Sequence, residues 1–209
     1  MLDIEVTTAP TTDAEFDVLS VDALRRHMRV ASSSANVLAD CEDAIKDTVA
    51  SLGGRSGVLN LTILPTTYAL YLPAFPNGVI DLPYPPVRSI TSIVYKDSAG
   101  TEQTLSSSAY TLRRGSIEAE IFKRSDVDWP STDPDDPRAV KITFAAGYLA
   151  ADVPDNLKRL VKLIAAAWYE NREAEFIGGS GNASVPQKII FGFDFLVTQL
   201  RRPLPFGEG

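Results

Sequence analysis

Histidine and cysteine are almost missing: the 209 residues hold one of each, His27 and Cys41. A disulfide within the chain needs two cysteines, so a disulfide framework is excluded. A zinc site built from Cys and His alone is excluded too, because two ligands cannot fill a tetrahedral shell. Any histidine-dependent triad or dyad would rest on His27, which sits between Arg26 and Met28 in a short basic stretch and reads as non-catalytic. Basic residues are absent from Met1 to Leu24, where Asp3, Glu5, Asp13, Glu15, Asp17 and Asp22 make the segment acidic. No apolar run approaches the roughly 18 residues that cross a bilayer. The N-terminus also lacks the basic-then-apolar order of a signal peptide, so synthesis and folding in a cytoplasm are expected.

What is present is an ordinary globular composition, 44% apolar and 22% charged, in a chain long enough to bury a core without staples. The net charge is -7. A second acidic run holds Asp126, Asp128, Asp133, Asp135 and Asp136. Cations gather at Arg25, Arg26 and Arg29, at Lys158, Arg159 and Lys162, and at Arg201 and Arg202. Phosphate binding needs several convergent cations, so this chain should not grip nucleic acid over a broad surface. It can still lie beside DNA that must slide past.

The periodicity divides the chain. Residues 1–19 read as an acidic, partly ordered arm with room for a strand near Ile4 to Thr8. Ser20 is placed to cap a short helix through Leu24 and Met28. Leu38, Cys41, Ile45, Val49 and Leu52 then recur at helical spacing, which makes Cys41 a core thiol, and Gly53-Gly54 ends that helix. Residues 55–152 change to strand-like alternation: Val58 to Leu64, Tyr68 to Leu72, Ile90 to Tyr95, Tyr110 to Leu112, Ile117 to Phe122 and Val140 to Phe144. Pro73, Pro76, Pro83, Pro85 and Pro86 keep their stretch out of a sheet centre, leaving Val79 to Leu82 as an edge strand. Asp97 to Gly100 is a hairpin turn.

Helix returns after Val153-Pro154, with Asp152 or a neighbour as its cap, and Leu157, Leu160, Val161, Ile164 and Trp168 form its apolar face. The reading extends this helix towards Phe176 and places a last helix over Lys188 to Leu200. The expected class is α+β: an antiparallel helical bundle from 20–54 and 153–177, a mainly antiparallel β insert at 55–152, a linker at 178–187, and a terminal helix and tail at 188–209. One helical core with a β excursion is favoured over two independent domains.

The search for chemistry returns little. Gly178-Gly179-Ser180-Gly181 lacks the phosphate-loop pattern and reads as a flexible joint. The acids of Asp126 to Asp136 lack calcium-loop spacing and its glycine. Glu118 and Glu120 share the wet face of a strand, and Glu170 and Glu173 flank a helix. Trp129, Tyr148, Trp168 and Tyr169 suit packing better than a ligand groove. No cofactor, metal or catalytic set is expected.

Several segments together resemble one family. Leu82-Pro83-Tyr84-Pro85-Pro86-Val87-Arg88-Ser89-Ile90-Thr91-Ser92-Ile93-Val94-Tyr95 is similar to the strand pair of head–tail connector (adaptor) proteins of long-tailed phages and phage-like gene transfer agents. Asp97, Gly100, Gln103-Thr104-Leu105, Tyr110, Trp129-Pro130 and Val140 to Gly147-Tyr148 fit the same pattern. So do Val153-Pro154, the run Ala167-Trp168-Tyr169-Glu170-Asn171-Arg172-Glu173, and the opening Leu24 to Val30. The resemblance covers about residues 20 to 200; the acidic first 19 residues and the glycine joint are less characteristic.

This resemblance implies a structural role. Family members form a ring, commonly of twelve copies, beneath the portal of a DNA-filled head. The ring joins the portal to the next neck protein, the stopper, and lets double-stranded DNA pass without specific binding. Carried onto this chain, Ile189, Phe193, Leu196, Leu200, Arg201 and Arg202 are the expected portal contacts, and Gly178, Gly179 and Gly181 the hinge that swings them into place. The helical core would form the ring wall, and the β insert would contact neighbours or the next neck layer. The free subunit would be monomeric, and part of the acidic excess would face the lumen. The competing readings are a neighbouring neck component (stopper or tail terminator), a glycan- or host-binding module with an aromatic groove, and a carboxylate enzyme with two acids in a cleft.

Overall fold

The structure, a computed structural model, describes residues 3–54, 56–115, 118–170 and 195–201. It is an α+β protein in two compact units. Of the described residues, the β unit takes those up to Thr12 and those from Asn60 to Tyr148; the helical unit takes those from Asp13 to Leu59 and from Leu149 to Arg201.

The β unit holds β1 (Asp3–Thr8), β2 (Thr66–Leu72), β3 (Ile80–Leu82), β4 (Val87–Lys96), β5 (Glu102–Thr104), β6 (Tyr110–Arg114), β7 (Ala119–Lys123) and β8 (Val140–Ala146). They form two sheets, one ordered β1-β2-β8-β4-β5 and one ordered β3-β7-β6, with every pairing antiparallel. Strand β8 shows why the larger sheet has one covered face. Val140, Ile142, Phe144 and Ala146 are buried and the residues between them are half-buried, the period of two that a pleated strand imposes. Ile142 pairs with Leu70 on one side and Ile93 on the other, and all three are fully buried. Tyr68 packs its ring 5.6 Å from Phe144 and 5.7 Å from Tyr84. Thr62 Oγ1 donates to the Tyr84 carbonyl at 2.9 Å and lies 3.2 Å from the Tyr68 hydroxyl, so both buried hydroxyls are satisfied. Burial is the main reason that the Tyr68 phenol is pushed above its usual range.

Four expectations are corrected or made definite here. Of the two readings of the N-terminal segment, the strand near Ile4 to Thr8 is the one that forms: residues 3–8 are the edge strand of the larger sheet, registered Ile4 against Leu70, with Ile4 buried. Val58 to Leu64 is not a strand. Leu59, Leu61 and Ile63 are buried while Val58 is exposed, but Asn60 adopts a left-handed φ of 52° that interrupts extended pairing. The strand expected from Ile117 begins at Ala119 instead; Ile117 itself lies outside the described residues. The β insert is two sheets, with the proline-flanked β3 at the edge of the smaller one.

The helical unit contains α1 (Glu15–Val18), α2 (Val21–Met28), α3 (Ala35–Leu52) and α4 (Asp155–Glu170). Ser20 caps α2 by accepting from the Ala23 amide, and Arg29 ends it in a left-handed conformation, φ 59°. Leu24 is fully buried. Helix α3 buries Cys41, Ala44, Ile45, Thr48, Val49 and Leu52; Thr48 escapes the cost of burial by donating to the Ala44 carbonyl at 2.7 Å. Helix α4 buries Leu157, Leu160, Val161, Ile164, Ala165 and Ala166 and packs along α3. Asp152 does not cap α4. It closes a 3-10 turn (Ala150–Asp152), after which Val153 is extended, and Asn156 Oδ1 accepts the Leu157 amide instead. The described part of α4 ends at Glu170; residues 171–194, including the expected extension to Phe176, lie outside the described residues, and 195–200 are helical.

Candidate assembly surfaces

Each packed helix has a buried side, so its charged residues collect on the other side. On α4 the outward residues are Asp155, Lys158, Arg159, Lys162 and Leu163, and with His27 of α2 they line a hollow of about 500 Å³. The last turn of α2 adds Arg25 and Arg26, and Arg29 follows it. Arg25 is tied down by Asp22 at 3.3 Å and by the Ala31 carbonyl. Arg26, Arg29, Lys158, Arg159 and Lys162 make no ion pair with any described residue. Helix α3 and the short α1 carry the opposite sign. Asp43, Asp47 and Asp17 are exposed, with Glu42 and Glu15 half-buried beside them. The one cation there, Lys46, is held by Asp13 at 3.1 Å and lies over the Phe16 ring; the hydrogen bond it donates to Asp13 raises its pKa.

The β unit is different, because most of its charges are already paired. Arg138 donates to both carboxylate oxygens of Asp3 (2.6 and 2.8 Å) and to Glu5 (2.9 Å), and its guanidinium lies 4.4 Å from the Tyr71 ring centroid. This fork fastens β1 to the sheet. Lys96 pairs with Asp136 at 2.6 Å, Lys123 with Asp128 at 2.8 Å, and Arg113 with Glu120. Within the Asp126 to Asp136 loop, Asp126, Asp128 and Asp136 thus each meet a separate cation. Among the described residues, no three His, Cys, Asp or Glu side chains are grouped to hold a metal ion. No helix among them is long and apolar enough to cross a membrane.

Aromatic residues pack as small clusters. Phe75 stacks on Trp129 at 4.8 Å, with Tyr95 edge-on to Phe75 at 5.7 Å. This seats the Trp129 loop on the β unit. Glu118 is exposed, and Glu120 stands on β7 opposite Asp81 of β3. Burial, then Glu120 and Glu118, pushes the Asp81 carboxyl up.

Of the residues expected in the portal contact, Leu196 and Leu200 are buried by the chain itself and Arg201 is exposed. Ile189, Phe193 and Arg202 lie outside the described residues, as do the hinge glycines Gly178, Gly179 and Gly181 and the signature residue Arg172. Pro85 and Pro86 are joined by a cis peptide ahead of β4, and Tyr95 is half-buried near its end. The amide of Gly147 donates to the Pro86 carbonyl and that of Tyr148 to Ile63. Tyr169 is half-buried, while Trp168 is 41% exposed although it continues the apolar side of α4. Phe195, 59% exposed, was missed by the sequence reading. Only the fold shows that Leu196 and Leu200 take the inner positions and leave Phe195 outside.

The chain matches no family model and no curated protein. Its fold is similar to chains of solved particles. One belongs to the neck of an empty GTA particle computed with C6 symmetry: TM-score 0.72, 24% identity, covering 99% of this chain and 98% of that one. Another belongs to the virion of a native gene transfer agent (GTA) particle: TM-score 0.66, 23% identity, covering 98% of both chains. A third belongs to the neck of a native GTA particle computed with C12 symmetry: TM-score 0.64, 24% identity, covering 100% of this chain and 98% of that one.

Proposed function

We propose that this chain is a head–tail adaptor of a phage or gene transfer agent particle, a non-catalytic wall component of the neck. The observation that carries the reading is the likeness over essentially the whole length, both ways, to chains of GTA particles, two of them from the neck. The match takes in 98% or more of both chains, so it is not to a shared fragment. The connector signature in the sequence points to the same place independently.

In this reading the chain forms a ring of twelve copies under the portal, a number supported by the C12 symmetry of the neck in one relative. The helical unit supplies the ring wall, and the β unit contacts neighbouring copies or the stopper below. The C-terminal segment, with Ile189, Phe193, Arg201 and Arg202, docks on the portal, turning on the Gly178 to Gly181 joint; Leu196 and Leu200, buried by the chain itself, join that contact only by leaving their present packing. Phe195 joins that set as an apolar side chain already exposed. Double-stranded DNA passes through the ring unbound, and an acidic lumen keeps phosphate from adhering. At physiological salt the isolated chain is monomeric and becomes a ring on the portal.

Sedimentation of the purified chain with and without assembled portal tests the reading. The expected result is a slow monomer alone and co-migration with portal when mixed, lost when residues 188–209 are deleted. A full-length chain that never co-migrates with portal contradicts it.

A further inference from the structure

The helical unit is electrically two-sided. Helices α3 and α4 pack through their apolar sides, so their charged sides face away from one another. Lys158, Arg159 and Lys162 stand on the outer side of α4 beside His27, with Asp155 the one carboxylate lining that hollow. Asp43 and Asp47 stand on the outer side of α3, with exposed Asp17 on α1. None of these three lysine and arginine residues, and none of these three aspartates, has an ion-pair partner among the described residues. In the β unit, by contrast, Lys96, Arg113, Lys123, Arg124 and Arg138 are paired, and Arg88, Arg114 and Lys141 are the described cations without an ion pair.

We infer that the α4 face of one copy docks on the α3 face of the next. Two complementary surfaces on opposite sides of one body make a heterologous contact, the kind that closes into a ring when the rotation allows it. Opposite charge steers such an encounter and fixes its orientation, and like-charged faces are kept apart. The occupant is therefore a second copy of this chain rather than DNA: the acidic face supplies the counterpart that the basic face needs. It also covers the cations in the assembled wall, so that they are withdrawn from passing phosphate. The inference rests on the adaptor reading for its setting and names the subunit contact within it. Exposed ion pairs are weakened by salt, and so the free chain should associate only when salt is lowered.

The test uses the full chain and two charge-reversed variants. One carries Lys158→Glu, Arg159→Glu and Lys162→Glu; the other carries Asp43→Lys and Asp47→Lys. These positions are on the outer, charged sides of the helices, and circular dichroism checks that each variant is folded. At low ionic strength, sedimentation should show concentration-dependent association of the wild type. Each variant alone should stay monomeric, and an equimolar mixture of the two should associate, because each restores the other's missing counterpart. A wild type that stays monomeric at low salt overturns the inference. So does association that survives either reversal, a mixture of folded variants that stays monomeric, or DNA retained by the α4 face without self-association. Portal co-sedimentation of the wild type reads the adaptor assignment separately, so either idea can fail alone.

Discussion

Gly147 ends β8 with φ +93°, where a side chain is strained, and a Cβ there would fall on the Leu64 carbonyl. Gly147→Ala should cost roughly 1–3 kcal/mol, seen as a lower urea midpoint with little change in slope. Asp97 holds the β4–β5 turn by accepting from the amides of Ala99 and Thr101, both at 3.0 Å, and from Gln103 at 3.1 Å. The Thr101 amide first, then Gln103, lowers its carboxyl below the usual range. The charged form is therefore the one the fold favours. Its contribution is complete above the ordinary Asp pKa of about 4 and is lost as pH falls through the lower folded value. Protection of the Glu102–Thr104 amides, taken relative to their intrinsic exchange rates at each pH, should fall over that acid window in the wild type, whereas Asp97→Ala should show the lower protection already at neutral pH. At this scale the sequence was informative where packing is local. Cys41 reads as core because Leu38 and Ile45 lie three and four residues away, and Leu24 because Met28 stands four residues on along the same side. Arg138 did not, because its partner Asp3 is 135 residues away in the chain.

Strand β8 was legible because burial on one face writes itself as alternation, and α3 because burial on one side writes itself at helical spacing. Residues 59–63 alternate equally well and are buried equally well, yet form no strand; Asn60 turns left-handed, which composition alone does not announce. The N-terminal strand was only half legible, since its acids suit an arm as well as a guarded edge. Its attachment through Arg138 leads to a specific expectation. Arg138→Ala should raise amide exchange across Asp3–Thr8 while leaving the β2–β8–β4 centre protected; uniform exchange across the sheet would contradict that role. In the smaller sheet, Asp81 faces Glu120 across the strands, and its carboxyl is raised by burial and by Glu120 and Glu118. A raised acid favours its protonated form in the folded state, so ionisation destabilises the fold as pH rises through the raised value. Asp81→Asn should therefore stabilise the protein at neutral pH, and the gain should shrink as pH falls through the carboxylate range. A gain unchanged at acid pH would show that charge is not its cause.

For the whole molecule, the order of helices, strands and helices was visible along the sequence, but the partition of eight strands into two sheets was not. Pairing β1 with β2 joins residues 3–8 to residues 66–72, a contact that no local pattern encodes. The assembly surfaces were legible in part. The clusters of Arg25, Arg26 and Arg29 and of Lys158, Arg159 and Lys162 were evident, but the placing of the second beside His27 on the outer side of α4 needed the fold. The proposed adaptor role is one of shape and docking. A reconstruction of the particle neck tests that claim most directly. The account predicts twelve copies of this chain in a ring immediately under the portal, with the C-terminal segment against it. A neck whose ring at that level is built from another chain, or a particle in which this chain occupies another layer, would contradict it.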